Sequence, residues 1–238
     1  MANKRIIPLL ITVLVGLLGG GAFAAPLPEF SATYRVEKGG MAARMVMTLR
    51  REGSLWRFES HSEPNGLLTL FDAAYVSETS MLEQQAAGLR PISYEFNAKK
   101  HPSDRDRSSV FDWENGTLKS TRGSKSRSAD LQAGTFDRLS VLLEIVAQLR
   151  AGAKEMAIPV ASKGKIRTRQ FVLEETELIE VVAGSFETVR VRELRGTSKR
   201  HTTSWFAPGE HYLPVRMDQF RKGKHVGRVE LIEIRWPG

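Results

Sequence analysis

Lys163, Lys165, Arg167 and Arg169 recur at every second position, and on a strand that spacing puts four cations on one face. Such a face could gather anionic headgroups, although a solvated or edge-protecting strand is written in the same way. Lys99, Lys100, Arg105 and Arg107 offer a second basic cluster. A different stripe, Met41, Met45 and Met47 with Ala43 and Leu49, is apolar and adaptable and could line a cavity for a flexible ligand, with Leu142 and Val146 of a downstream helix as its cover. Ordinary core is the simpler explanation of that stripe.

Catalytic chemistry has little to work with. The five histidines, His61, His101, His201, His211 and His225, are scattered, with no His-x-His or His-Glu-x-x-His spacing and no cysteine to complete a zinc set. His201 and His211 could meet across a hairpin. No Gly-x-Ser-x-Gly elbow is present, and no glycine-rich phosphate loop occurs, which speaks against serine hydrolysis and nucleotide chemistry. Asp104, Asp106, Asp112 and Glu114 could supply the two acids of a glycosidase-like cleft. A solvated strand edge accounts for them more simply. No catalytic residue, metal ligand or cofactor is assigned.

The elements that would position these residues are mainly strands. Two-residue alternation predicts strands over Phe30 to Val36, Met41 to Leu49, Leu55 to His61, Tyr75 to Leu82, Arg90 to Ala98, Ser108 to Trp113 and Thr117 to Ser120, the last two joined by the hairpin dipeptide Asn115-Gly116. Asn65 to Phe71 reads as an irregular apolar crossover. Thr121 to Asp130 lacks large apolar residues and reads as a solvated loop. One helix follows, with Asp137 as N-cap, Leu139, Leu142, Leu143, Val146 and Leu149 at helical spacing and Gly152 at its end. Val141 and Ile145 widen its apolar face, so it needs cover on more than one side. Strands resume over Glu155 to Val160, Lys165 to Glu174, Glu177 to Val182, Phe186 to Leu194, Thr202 to Phe206, Leu213 to Phe220 and Val226 to Arg235. About a dozen strands with short connections suit a strongly curved antiparallel sheet or incomplete β-barrel with one amphipathic helix packed on it.

The first 24 residues read as a signal peptide: Lys4 and Arg5, an apolar run from Ile6 to Leu18, and Ala22-Phe23-Ala24 before the cut. An uncleaved anchor is the rival reading. Cleavage after Ala24 would leave residues 25–238 as one β-rich periplasmic domain with no transmembrane helix. The chain has no cysteine, which excludes a disulfide framework and a lipobox. Removing Lys4 and Arg5 from 35 basic residues leaves 33 against 27 acidic ones, a net charge of about +6. An exported cation meets anionic lipid, acidic glycan or envelope protein far more readily than nucleic acid.

Gly184-Ser185-Phe186-Glu187-Thr188-Val189-Arg190-Val191, Trp205-Phe206-Ala207-Pro208 and Tyr212-Leu213-Pro214-Val215-Arg216, taken with Phe30 to Val36, Leu89-Arg90-Pro91 and Asp137-Arg138-Leu139-Ser140, resemble an exported bacterial family catalogued as domain-of-unknown-function family 3108. That resemblance covers nearly the whole mature chain and implies fold and export, without a mechanism. A vaguer likeness ties Trp205 to Gly227 to half-barrel lipoprotein carriers, which hold acyl chains between a curved sheet and helices. The expected function is a non-catalytic periplasmic module binding an apolar or amphiphilic, lipid-like ligand. The alternatives are an envelope interaction protein with a filled core and, third, an envelope hydrolase.

Overall fold

The structure, a computed structural model, describes residues 27–64, 75–99, 106–194 and 200–237. The proposed signal segment, the crossover after Asn65, and Lys100, His101, Asp104 and Arg105 lie outside the described residues, as do the side chains of Met41 and Lys99.

Eight strands come first: β1 (Phe30–Lys38), β2 (Met41–Glu52), β3 (Leu55–Pro64), β4 (Tyr75–Gln85), β5 (Gly88–Lys99), β6 (Arg107–Asp112), β7 (Thr117–Arg122) and β8 (Lys125–Asp130). The helix α1 (Val141–Arg150) separates them from β9 (Glu155–Ser162), β10 (Lys165–Val181), β11 (Gly184–Leu194), β12 (Arg200–Ala207), β13 (Leu213–Arg221) and β14 (Lys224–Arg235). All fourteen form one antiparallel sheet in the order β8-β7-β6-β5-β4-β3-β2-β1-β14-β13-β12-β11-β10-β9. Two meanders are thus joined through β1 and β14, and the edges β8 and β9 flank the helix in sequence.

Strand twist curls so wide a sheet, and here the two edges meet. A Cβ built on Gly164, in the β9–β10 turn, would lie 3.0 Å from Cβ of Arg127 on β8. The edges do not pair as a ladder. Instead the chain entering the helix covers β9: Phe136 N–H donates to Pro159 O at 2.9 Å, and Ala161 N–H donates to Phe136 O at 2.8 Å. The result is a strongly curved sheet that is not closed.

The helix fills part of the curl, lying against β5 and β9. Its buried side chains divide between two apolar clusters. Leu143, with Leu139 of the turn before the helix, joins Phe30, Leu49, Phe58 and Leu82, whereas Val141, Ile145, Val146 and Leu149 pack with Phe136, Ile158, Phe171 and Phe206. Leu142 touches both clusters. A helix apolar over this much of its circumference is stable only with walls on both sides, which the curl supplies.

Three expectations need correction. Thr121 to Asp130 is not a loop: after a turn at Gly123, whose φ is +54°, Lys125–Asp130 pairs with β7 over its whole length. Backbone pairing to a preformed neighbour makes this strand, so it needs no large apolar side chains. Lys165 to Val182 is not two strands, because β10 runs unbroken through a bulge between Leu173 and Thr176. A bulge bends a strand without ending it. Finally, α1 begins at Val141, and Asp137 caps the turn that leads into it.

Tyr34 ties the two meanders together. Its side chain is fully buried, and its hydroxyl donates to Pro214 O at 3.0 Å. Burial pushes the phenol pKa up. Tyr34→Phe should cost about 1 kcal/mol by removing this bond, read as a lower denaturant midpoint with an unchanged slope.

Candidate functional site

Directly opposed residues of an antiparallel pair share a face, so the register locates the interior side chains. From β5 to β8 one interior row runs Phe96, Arg107, Arg122, Lys125, and the next runs Tyr94, Ser109, Ser120, Arg127. The third row, Phe111, Leu118, Ala129, is apolar. Across the seam Lys165, Arg167 and Arg169 oppose Ser162, Val160 and Ile158, and Phe171 opposes Met156. Both edges of the sheet therefore change from apolar, near the helix, to cationic, near the β7–β8 and β9–β10 turns.

The cationic end of this interior borders an open cavity of about 1060 Å³. Its lining holds eight basic residues, Arg107, Arg127, Arg138, Lys163, Lys165, Arg167, Arg169 and Arg200, against one acid, Glu193. That acid is already engaged: Arg169 Nε donates to Glu193 Oε1 at 2.5 Å, and Glu193 is 2% exposed. Two smaller chambers, of about 300 and 400 Å³, adjoin it, and Arg138 lines all three spaces.

Arg138 is placed by its neighbour. Asp137 is fully buried; its Oδ1 accepts from Leu139 N, Ser140 N and Ser80 Oγ at 2.8 to 2.9 Å, and its Oδ2 accepts from Ser140 Oγ at 2.6 Å. The Ser80 bond pins the helix entry to β4. Burial holds the Asp137 carboxyl above the usual range, with the hydrogen bonds pulling the other way. Arg138, one residue on, stands over Phe96 with its guanidinium 5.9 Å from the ring centre. Arg107 stands over the same ring at 5.2 Å. Burial, then the nearby Arg138 and Arg122 charges, lowers the Arg107 pKa.

On the opposite face of the sheet many cations are paired with acids, although Arg35 opposes Arg44 and Arg50 opposes Arg57 there. Arg57 bridges to Glu52 and Glu59, Arg190 to Glu174, Glu175 and Glu177, and Asp218 accepts from Arg216, Arg228 and His225. Among the described residues no ion pair joins Arg127, Arg138, Lys163, Lys165 or Arg167 to an acid, whereas Arg107 feels the Glu78 carboxylate, which opposes Phe96 in the same row. Arg107 directly opposes Arg122 and Arg122 directly opposes Lys125, and like charges directly opposite one another destabilise a strand pair.

Lys163, Lys165, Arg167 and Arg169 thus come together in one cavity. The Met-and-helix set is divided. Met47 is 6% exposed in the first apolar cluster, with Met45 and Leu142 half-buried against it, whereas Val146, 1% exposed, belongs to the second cluster. Met41 opposes Lys38 at the start of β2. Sequence reading missed Arg127, Arg138 and Arg200 as members of the cavity. Period-two alternation in Lys125, Ser126, Arg127 and Ser128 was the available signal for the first.

His201 lies near the start of β12 and His211 beyond its far end, after the Pro208–Glu210 turn; His201 stacks on Phe220 at 4.8 Å and His211 meets Trp236 edge-on at 4.7 Å. No group of three metal-ligating side chains occurs among the described residues. Asp112 accepts from Asn115 N and Nδ2 at 3.0 and 2.8 Å, a turn-forming role that lowers its pKa.

The seam is tight at Gly164, where φ is +71°. Gly164→Ala should cost about 1–2 kcal/mol from the left-handed backbone alone, plus the displacement of Arg127. Gly53→Ala, with φ +63° and nothing within 4 Å of the new Cβ, supplies the backbone part, so a larger loss of thermal stability at Gly164 measures the seam contact.

The family described as "Protein of unknown function (DUF3108)" matches residues 29–225. Among solved structures, the β-barrel-like protein of domain of unknown function DUF1849 from Brucella abortus is similar over 90% of this chain and 100% of its own, at 13% identity and a TM-score of 0.57. A protein with a YmcC-like fold from Bacteroides fragilis aligns over 90% of this chain and 98% of its own, at 10% identity and a TM-score of 0.35. The first of these supports a shared β-barrel-like fold. Comparison with curated proteins gives no match. No helix among the described residues is long and apolar enough to cross a membrane.

Proposed function

We propose that this chain, which belongs to the DUF3108 family, is an exported, non-catalytic binding module of the cell envelope that holds an anionic, amphiphilic ligand by its head. One observation carries the reading: eight basic residues face one acid around the open cavity, and that acid is already paired. A one-signed cleft with low-dielectric walls focuses its field and concentrates anions. Lys165 and Arg167 from β10 and Lys163 from the β9–β10 turn contact the anionic head, with Arg127 and Arg138 opposite. Met45 and Leu142, both half-buried, are the apolar contacts offered to the ligand's tail, although neither lines the cavity, and Met47 and Val146 are buried in two separate clusters. Export to the periplasm rests on the Lys4 to Ala24 pattern.

A second reading, an envelope interaction protein, has its own support. Leu178 and Val182, 69% and 62% exposed, stand out from the β10–β11 hairpin.

Titration with lysophosphatidylglycerol and lysophosphatidylcholine separates the two. The binding-module reading expects the anionic lipid to bind and the zwitterionic lipid not to, with affinity falling as salt rises. Equal binding of the two lipids, or none, would favour the interaction protein.

A further inference from the structure

We infer that the cavity takes a ligand with two phosphate-class groups, one seated in the serine-lined chamber against β6 to β8 and the other against the basic face of β10, with Arg138 between them. This rests on the anion-binding reading and sharpens it.

The chamber is small and rich in donors. Its volume of about 300 Å³ is lined on the interior rows by Ser109 and Ser120 beside Arg107, Arg122, Lys125 and Arg127. The Ser109 and Ser120 hydroxyls lie 2.9 Å apart on directly opposed residues. One must donate to the other, which leaves the second hydroxyl proton for a ligand oxygen. Guanidinium forks and hydroxyls together offer more donors than a carboxylate can use, whereas a phosphate monoester presents three strong acceptor oxygens. Arg107 adds a reason for occupancy: its Nε is buried with no acceptor, and it directly opposes Arg122.

The second group has a separate seat. Lys165 and Arg167 stand on β10, across the seam from β6 to β8, and they line the larger cavity but not the chamber. Arg107, Arg127, Arg138 and Lys163 line both spaces, so one ligand can span them without crossing a wall. Linking two anionic groups makes the second contact intramolecular, and affinity rises accordingly.

The test is calorimetric titration of two matched series: fructose 6-phosphate against fructose 1,6-bisphosphate, and vesicles of phosphatidylglycerol against cardiolipin. The two-phosphate member of at least one series should bind about tenfold tighter per ligand than its one-phosphate partner. The series showing the preference identifies a soluble or a lipid source. Arg107→Gln and Lys165→Gln, each checked for folding by circular dichroism, should each reduce the preference to about threefold or less. Equal affinity within both series, or a preference untouched by both substitutions, overturns the two-phosphate inference while leaving anion binding intact. Failure of every probe to bind overturns both.

Discussion

Asp137→Ala should destabilise the fold by about 3–5 kcal/mol, well beyond the losses expected at Tyr34 or Gly164. Removing the carboxylate leaves the N–H groups of Leu139 and Ser140 and the Ser80 hydroxyl without an acceptor in a fully buried place, and each orphaned group costs about 1–3 kcal/mol. The cap on the helix entry goes too, at about 1 kcal/mol. Asp137→Asn keeps an acceptor oxygen and should cost only about 1 kcal/mol. The pair also differs in pH dependence. Because burial raises the folded-state pKa of Asp137, the native state binds this proton more tightly than the unfolded chain does. The proton-linked stabilisation is full below the ordinary carboxylate value of about 3.9 and is lost as pH rises through the folded value. Wild-type stability relative to Asp137→Asn should therefore fall with rising pH in that window, measured by urea unfolding at a series of pH values. A constant difference would show that the carboxyl is not raised.

Reversing two charges on β10 should have the largest effect on binding. Lys165→Glu with Arg167→Glu is expected to weaken an anionic ligand at least about 100-fold, since two charge-assisted contacts at about 1.5 kcal/mol each are lost before repulsion is counted. Both side chains are exposed within the cavity, so the fold should tolerate the change. Unaltered far-ultraviolet circular dichroism alongside the lost affinity distinguishes a binding role from a structural one. Affinity retained within a factor of about three would remove β10 from the site.

Much of this architecture is legible in the chain because period-two alternation survives wherever one face of a strand is buried. Met45, Met47 and Leu49 declare β2 in this way, and the Asn115-Gly116 turn is plain. The Lys125–Asp130 strand escapes because its backbone pairs with β7 while nearly all its side chains stay exposed. Alternation of lysine, arginine and serine looks the same in a loop. The apparent break after Glu174 is a bulge within β10, which shifts alternation just as a strand end would.

The site was legible only in part. Lys163 to Arg169 show themselves as a cationic face, but Arg127, Arg138 and Arg200 reach the same cavity only through the curl of a sheet whose edges belong to different meanders. The opposition of Arg107 to Arg122 and Arg122 to Lys125 depends on register, which composition does not carry. The methionine face was visible, while the division of Met47 and Val146 between two clusters required the position of the helix.

The cationic cavity is proposed to hold an anionic ligand in the cell. Mass spectrometry of extracts from the protein purified from its own host, beside the folded Lys165→Glu, Arg167→Glu variant prepared identically, tests it most directly. An anionic compound is expected at near-stoichiometric yield with the native chain, and its loss from the variant. A blank extract from the native chain, or equal yields from both, would contradict it.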